Sequence, residues 1–162
     1  MPCLYCHFTA EKSRYAGIPP ASVCMNCHKM VTATFGAVRA EEELATKESR
    51  KPRTVVSPEV RKIYTALGLD SDRKPDPALP LKPIAWTRVY ALPDFVHFDH
   101  RAHVHAGVVC QTCHGPVETM ERMRQVHDLS MGWCVNCHRD ATRNGVNGKK
   151  VFASTDCSTC HY

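Results

Sequence analysis

The amino-acid sequence predicts a mostly α-helical and irregular fold, with short helices and long loops around a core that side chains alone do not fill. Three observations predict it. A Cys-x-x-Cys-His skeleton occurs five times and uses all ten cysteines of the 162-residue chain. Large apolar side chains are sparse: Phe, Trp and Tyr make up 7% of residues, and the 43% hydrophobic content includes the cysteines. Mean hydropathy is −0.33. The middle of the chain is broken by Pro52, Pro58, Pro75, Pro77, Pro80, Pro83 and Pro93, which marks it as largely connecting loop. A chain of this length is one domain or at most two small ones, and this composition gives it a thin protein core.

The five motifs are Cys3–Cys6–His7, Cys24–Cys27–His28, Cys110–Cys113–His114, Cys134–Cys137–His138 and Cys157–Cys160–His161. Disulfides have no reason to place a His directly after every second Cys. Structural zinc needs four ligands per site, so five Cys-x-x-Cys pairs leave one without a partner, and the five histidines stay unexplained. Cys-x-x-Cys-His is the attachment signature of c-type haem. The two thiols bond the porphyrin vinyl groups, and the histidine reaches the iron from one face. The expectation is five covalently attached haems (heme c), with the porphyrins themselves serving as the core.

That expectation changes the meaning of the charge. The polypeptide is +5, with a pI near 8.7, a balance that by itself would suggest an acidic partner. Five haems add about ten propionate charges, offset by about one positive charge per ferric centre. The 21 Lys and Arg residues then read as propionate partners and solvated surface, and no nucleic-acid binding is expected. Arg88, Arg101, Arg122 and Arg139 lie close to motif segments and are candidates for the propionates. No stretch approaches the roughly 18 consecutive apolar residues of a membrane span. Haem attachment to thiols is an extracytoplasmic process, so a targeting segment is expected upstream.

Taken along the chain, residues 1–30 carry a pair of motifs, 31–96 none, and 97–162 three; the whole reads as a single pentahaem domain. In the middle region, Ser57 can cap a helix and Pro58 suits its first turn. Val60, Ile63, Tyr64 and Leu67 make an apolar stripe that stops at Gly68. From Ala37 to about Ser49, Glu41, Glu42 and Glu43 set against Lys47 predict a solvated helix. The two ends look like copies of one unit. Glu11 and Glu118 each lie four residues after a motif histidine, and the next motif, Cys-x-Asn-Cys-His, begins 17 and 20 residues after those histidines. The second copy is preceded by Phe98-x-His100-x-x-His103, with the histidines 10 and 7 residues before Cys110. A matching segment is expected upstream of Cys3.

Each iron also needs a ligand on its far side. Five further histidines are available: His97, His100, His103, His105 and His127. His100 and His103 are the best candidates, because spacing i, i+3 lets them reach two haems flanking one helical turn. His127 stands seven residues before Cys134, as His103 stands seven before Cys110. Met131 is the thioether candidate, with packing beside Trp133 as the alternative. For His97 and His105 the alternative is solvent or a propionate hydrogen bond. Trp86, Trp133, Tyr90 and Phe95 are expected on porphyrin faces, and Met25 and Met30 in haem packing.

Over residues 82–140, "KPIAWTRVYALPDFVHFDHRAHVHAGVVCQTCHGPVETMERMRQVHDLSMGWCVNCHRD", the chain resembles the pentahaem cytochrome c subunit of alternative complex III, a bacterial quinol:electron-acceptor oxidoreductase. "SPEVRKIYTALG" and the opening "CLYCHFTAEKSRYAGIPPASVCMNCH" are similar as well, whereas the charged stretch around 35–53 is unusual. The resemblance implies an electron-transfer subunit on the periplasmic side of the cytoplasmic membrane, not an enzyme by itself. Iron–sulfur and integral-membrane subunits would be its partners, and an acceptor cytochrome c or an oxidase would lie downstream. It also implies an upstream Phe-x-His-x-x-His segment and, in many members, an N-terminal membrane anchor. The rival readings are a freestanding or filament-forming carrier and a multihaem reductase with one open iron; five identical motifs argue against the latter.

Overall fold

A computed structural model describes residues 1–162 and contains seven short helices and no strand: α1 (Ala21–His28), α2 (Phe35–Lys47), α3 (Pro58–Ala66), α4 (His100–His105), α5 (Gln111–His114), α6 (Met131–Asn144) and α7 (Cys157–Cys160). Short 3-10 turns occupy Cys3–Tyr5 and Val117–Thr119. Extended pairing is limited to the isolated bridges Leu69–Pro75, Val96–His161 and Val146–Lys149. The mostly helical, irregular fold expected from the sequence is what the chain adopts. No helix is long and apolar enough to cross a membrane.

The chain divides into two compact units. Met1–Ile18 and Thr87–Tyr162 form unit 1, and Pro19–Trp86 forms unit 2. These boundaries differ from those of motif spacing. The Cys3–His7 motif belongs to unit 1 while Cys24–His28 belongs to unit 2, because α1, which carries the second motif, packs on α3 of the middle region.

Unit 2 shows why its helices form where they do. Ser57 Oγ accepts from Val60 N at 3.2 Å, and Pro58 occupies the first turn of α3. Val60 and Tyr64 are buried, Tyr64 to 1% exposure. The helix ends into Gly68, whose φ of +65° and the Leu79 carbonyl 2.8 Å from its missing Cβ both exclude a side chain. Tyr64 Oη donates to the His28 carbonyl at 2.5 Å, which ties α3 to the end of the motif helix. Thr32 Oγ1 donates to Val55 O and the Thr32 carbonyl accepts from Ser57 N, closing the unit's loops.

Helix α2 starts two residues before the expected Ala37, because Thr34 Oγ1 accepts from Ala37 N and caps it earlier. Ala45 is its one buried residue. Arg50 folds back onto Glu41 and Glu48, both at 2.5 Å, and the Arg53 amide donates to Glu41 at 2.8 Å. Those contacts, the Arg50 hydrogen bond foremost, lower the Glu41 carboxyl from 4.5 to about 2.

Candidate multihaem centre

The cysteine pairs of all five motifs are wound into helical turns; His28, His114 and His138 continue theirs within α1, α5 and α6, whereas His161 stands just past α7 in an extended conformation, and this has a simple consequence. Cysteines at i and i+3 and a histidine at i+4 fall on one face of a turn, so two thiols and one imidazole address the same space. The second and fourth motifs sit alike within their helices: α1 begins at Ala21 and α6 at Met131, each three residues before the first Cys. This agreement in register extends the repeat read from the sequence. The third motif ends at Gly115, which is buried with φ +68°, and a Cβ there would come within 2.7 Å of Val126 Cγ2.

The imidazoles carry the most specific information. Nδ1 faces a backbone carbonyl in His7 (Gly17 O, 2.8 Å), His28 (Val31 O, 2.9 Å) and His138 (Ser154 O, 2.6 Å). The same holds for two histidines outside the motifs, His100 (Arg14 O, 2.9 Å) and His103 (Asp99 O, 2.8 Å). A carbonyl only accepts, so Nδ1 must hold the proton and Nε2 is left with a free lone pair. A metal-ligating histidine is oriented in this way. Burial also lowers the pKa of His103 and of His114, helped by His138 and His100 in the first case and by His100 and His7 in the second. His114 Nδ1 is buried with no hydrogen-bond partner.

Two pairs of rings stand out. His100 and His114 have centroids 6.4 Å apart and planes 4° from parallel, while His103 and His138 are 6.0 Å apart and tilted by 43°. Face-to-face contact is excluded at that separation. A metal held between two imidazoles by bonds of about 2.0–2.1 Å puts their centroids about 6 Å apart. The donor set therefore fits two haem irons, each of which a motif histidine and a histidine of α4 would hold. Asp99 caps α4 by accepting from Arg101 N at 2.8 Å, and Arg101 also pairs with that carboxylate at 3.0 Å. Phe98 packs against both α4 imidazoles, at 4.8 Å from His100 and 4.6 Å from His103.

The remaining candidates lie elsewhere. His97 Nδ1 faces the Tyr162 hydroxyl at 3.2 Å. His127 lies against Trp133 at 5.4 Å, His105 is exposed, and Met131 sits in the first turn of α6 with 69% exposure. Phe95 stacks on His161 at 5.8 Å. Tyr90 meets His114 edge-on at 4.5 Å, donates to Cys113 O at 3.3 Å and accepts from Val126 N at 3.1 Å. Its role as a brace beneath the third motif, like the carbonyls of Arg14, Gly17 and Ser154, has no signature in residue type; backbone acceptors are invisible to motif reading.

The cysteines of different motifs in unit 1 are neighbours. Burial, with Cys137, Cys134 and Cys110 adding, pushes the Cys113 thiol up to about 11. Cys134 is raised by burial and by Cys160 and Cys137, and Cys110 by burial and by Cys3. Residues 96–162, which contain α4 and the last three motifs, match the family model for cytochrome c7 and related cytochrome c. That match supports a multihaem c-type cytochrome. No curated protein matches the chain.

Proposed function

We propose that the chain is an electron-relay subunit carrying five covalently attached c-type haems, one per motif, and that it does no substrate chemistry of its own. The carrying observation is the pair of imidazole pairs on α4: His100 with His114, and His103 with His138. One helical turn would thus supply a ligand to each of two irons, keeping the two redox centres in one neighbourhood of the chain.

Bound haem supplies reversible one-electron chemistry at iron. The protein's part is geometric and electrostatic. Each Cys pair anchors one porphyrin, and the motif histidines His7, His28, His114, His138 and His161 supply one ligand each. The carbonyls of Gly17, Val31, Ser154, Arg14 and Asp99 keep the Nδ1 proton in place, so that Nε2 stays aimed as a donor. His127 and Met131 are the nitrogen and sulfur donors available at and before the first turn of α6.

The resemblance to the pentahaem subunit of alternative complex III supports a place within a membrane-bound quinol-oxidising complex, on its periplasmic side. Iron–sulfur and integral-membrane subunits would deliver electrons, and a cytochrome c or an oxidase would take them. The test is direct. The purified holoprotein should exceed its polypeptide mass by five haems, co-purify with iron–sulfur and membrane subunits, and lose one low-spin signal in His100→Ala and another in His103→Ala. A mass equal to the polypeptide alone would refute the haem assignment, and isolation without any partner would refute the complex.

A further inference from the structure

The loop from Thr9 to Gly17 performs the same task for two different motifs. Its Gly17 carbonyl holds Nδ1 of His7, the histidine of the first motif. Three residues earlier, its Arg14 carbonyl accepts from both the backbone amide (3.2 Å) and Nδ1 (2.9 Å) of His100, which faces the third motif. The other carbonyl-bound histidines of unit 1 use separate acceptors: His103 the Asp99 carbonyl at the start of its own helix, His138 the Ser154 carbonyl.

The loop is built to stay rigid. Thr9 Oγ1 donates across it to Ala16 O at 2.6 Å, and the Thr9 carbonyl accepts from Lys12 N and Ser13 N. Ala10 is buried inside it. Gly17 has φ +74°, and a Cβ there would collide with Thr9 Oγ1, so the hydroxyl and the glycine fit only each other. Arg14 Nη1 anchors the outer side to the Tyr162 hydroxyl at 2.8 Å.

We propose that this loop is a positioning element shared by two haems, with Thr9 as the residue that fixes both acceptor carbonyls and so sets the donor strength of His7 and His100 together. The inference rests on the ligand reading given above. The physical link is general: an Nδ1–H···O=C hydrogen bond orients the ring and raises the basicity of Nε2, and hydrogen bonding around the ligands is one of the levers on haem potential. Loosening the loop weakens two donors at once, disfavours ferric iron at both sites, and raises two midpoint potentials.

The experiment is a redox titration of the holoprotein with haem-resolved EPR or NMR, comparing wild type, Thr9→Val and Thr9→Ser. Expected in Thr9→Val is an upward shift of the midpoints of two haems, those of His7 and His100/His114, with that of His103/His138 unmoved. Thr9→Ser, which keeps the hydroxyl, restores both. No shift, a shift of one haem alone, or an equal shift of all would overturn the proposal. If Thr9→Val does not fold, Arg14→Lys, which keeps the charge but releases Tyr162, should raise the His100 haem alone and by less; no shift there overturns it too. His100→Ala, run in parallel, separates the two readings. Unchanged low-spin signals would sink the ligand assignment itself, whereas loss of one signal with an inert Thr9→Val sinks only the loop.

Discussion

Unit 2 carries one motif and buries Ala45, Val60 and Tyr64 with Thr32 beside them; unit 1 carries four motifs and buries a single hydrophobic side chain, Ala10. Unit 1 is the longer of the two, so size does not explain its poorer core. Phe8, Tyr15, Phe95, Met131 and Phe152 are all exposed in it, in a chain where apolar side chains are already few. The difference is the one expected if unit 1 keeps its interior for the proposed haems, each motif giving up the space that a Leu or Phe would otherwise fill. Unit 2 does the opposite and uses two further helices to build a small protein core behind its attachment helix.

The sharpest way to break this comparison is to withhold haem. In chain produced without haem attachment, amides of α2 and α3 should exchange at least about 10-fold more slowly than those of α4 and α6, since local opening follows the buried apolar contacts. Equal protection would mean that unit 1 has a protein core after all. Next in size is Tyr64→Ala. Truncating a buried aromatic costs about 3–5 kcal/mol, so unit 2 should melt separately from a haem-stabilised unit 1 in a residue-resolved denaturation series. One cooperative transition for the whole chain would contradict it.

A smaller effect is expected on the unit 1 side. Gly115→Ala puts a side chain at positive φ against Val126, and should destabilise the third motif by more than about 1 kcal/mol; thermal denaturation of the holoprotein reads it, and an unchanged midpoint would show that the turn can relax. Ser57→Ala removes the cap of α3 and should cost unit 2 about 1 kcal/mol, measured by the same melt.

The smallest effect is electrostatic. The folded Glu41 carboxyl, at about 2, lies below its ordinary 4.5. Its contribution is therefore complete above the ordinary value and is lost as pH falls from there towards 2. The Arg50–Glu41–Glu48 cluster ties α2 only to the residues just after it, so acid should fray only the C-terminal turn of α2 and leave α3 protected, as hydrogen exchange across that pH range would report. Fraying that begins near neutrality would remove Glu41 from the account.

Much of unit 2's local structure was legible. Ser57, Pro58 and the Val60–Tyr64 stripe announced α3, because a cap and a helical period act within a few residues. Helix α2 starts two residues ahead of its charged run because Thr34, a weak cap at 3.4 Å from Ala37 N, stands out less in the sequence than the charges behind it. Spacing singled out His100 and His103 from His97 and His105, and it is these two whose Nδ1 meets a backbone carbonyl and whose rings face motif histidines. Which motif each one faces was not.

The sequence by itself determined the candidate chemistry: five sets of two thiols and an imidazole at i, i+3 and i+4, a local spacing that no distant contact can alter. Only the tertiary structure decided the grouping. It set α1 against α3 and so made the second motif part of a different unit from the other four, brought Arg14 to His100 across 86 positions, and set His103 against His138. Those choices depend on packing between segments far apart in the chain, and a pattern of residue types carries no term for that distance.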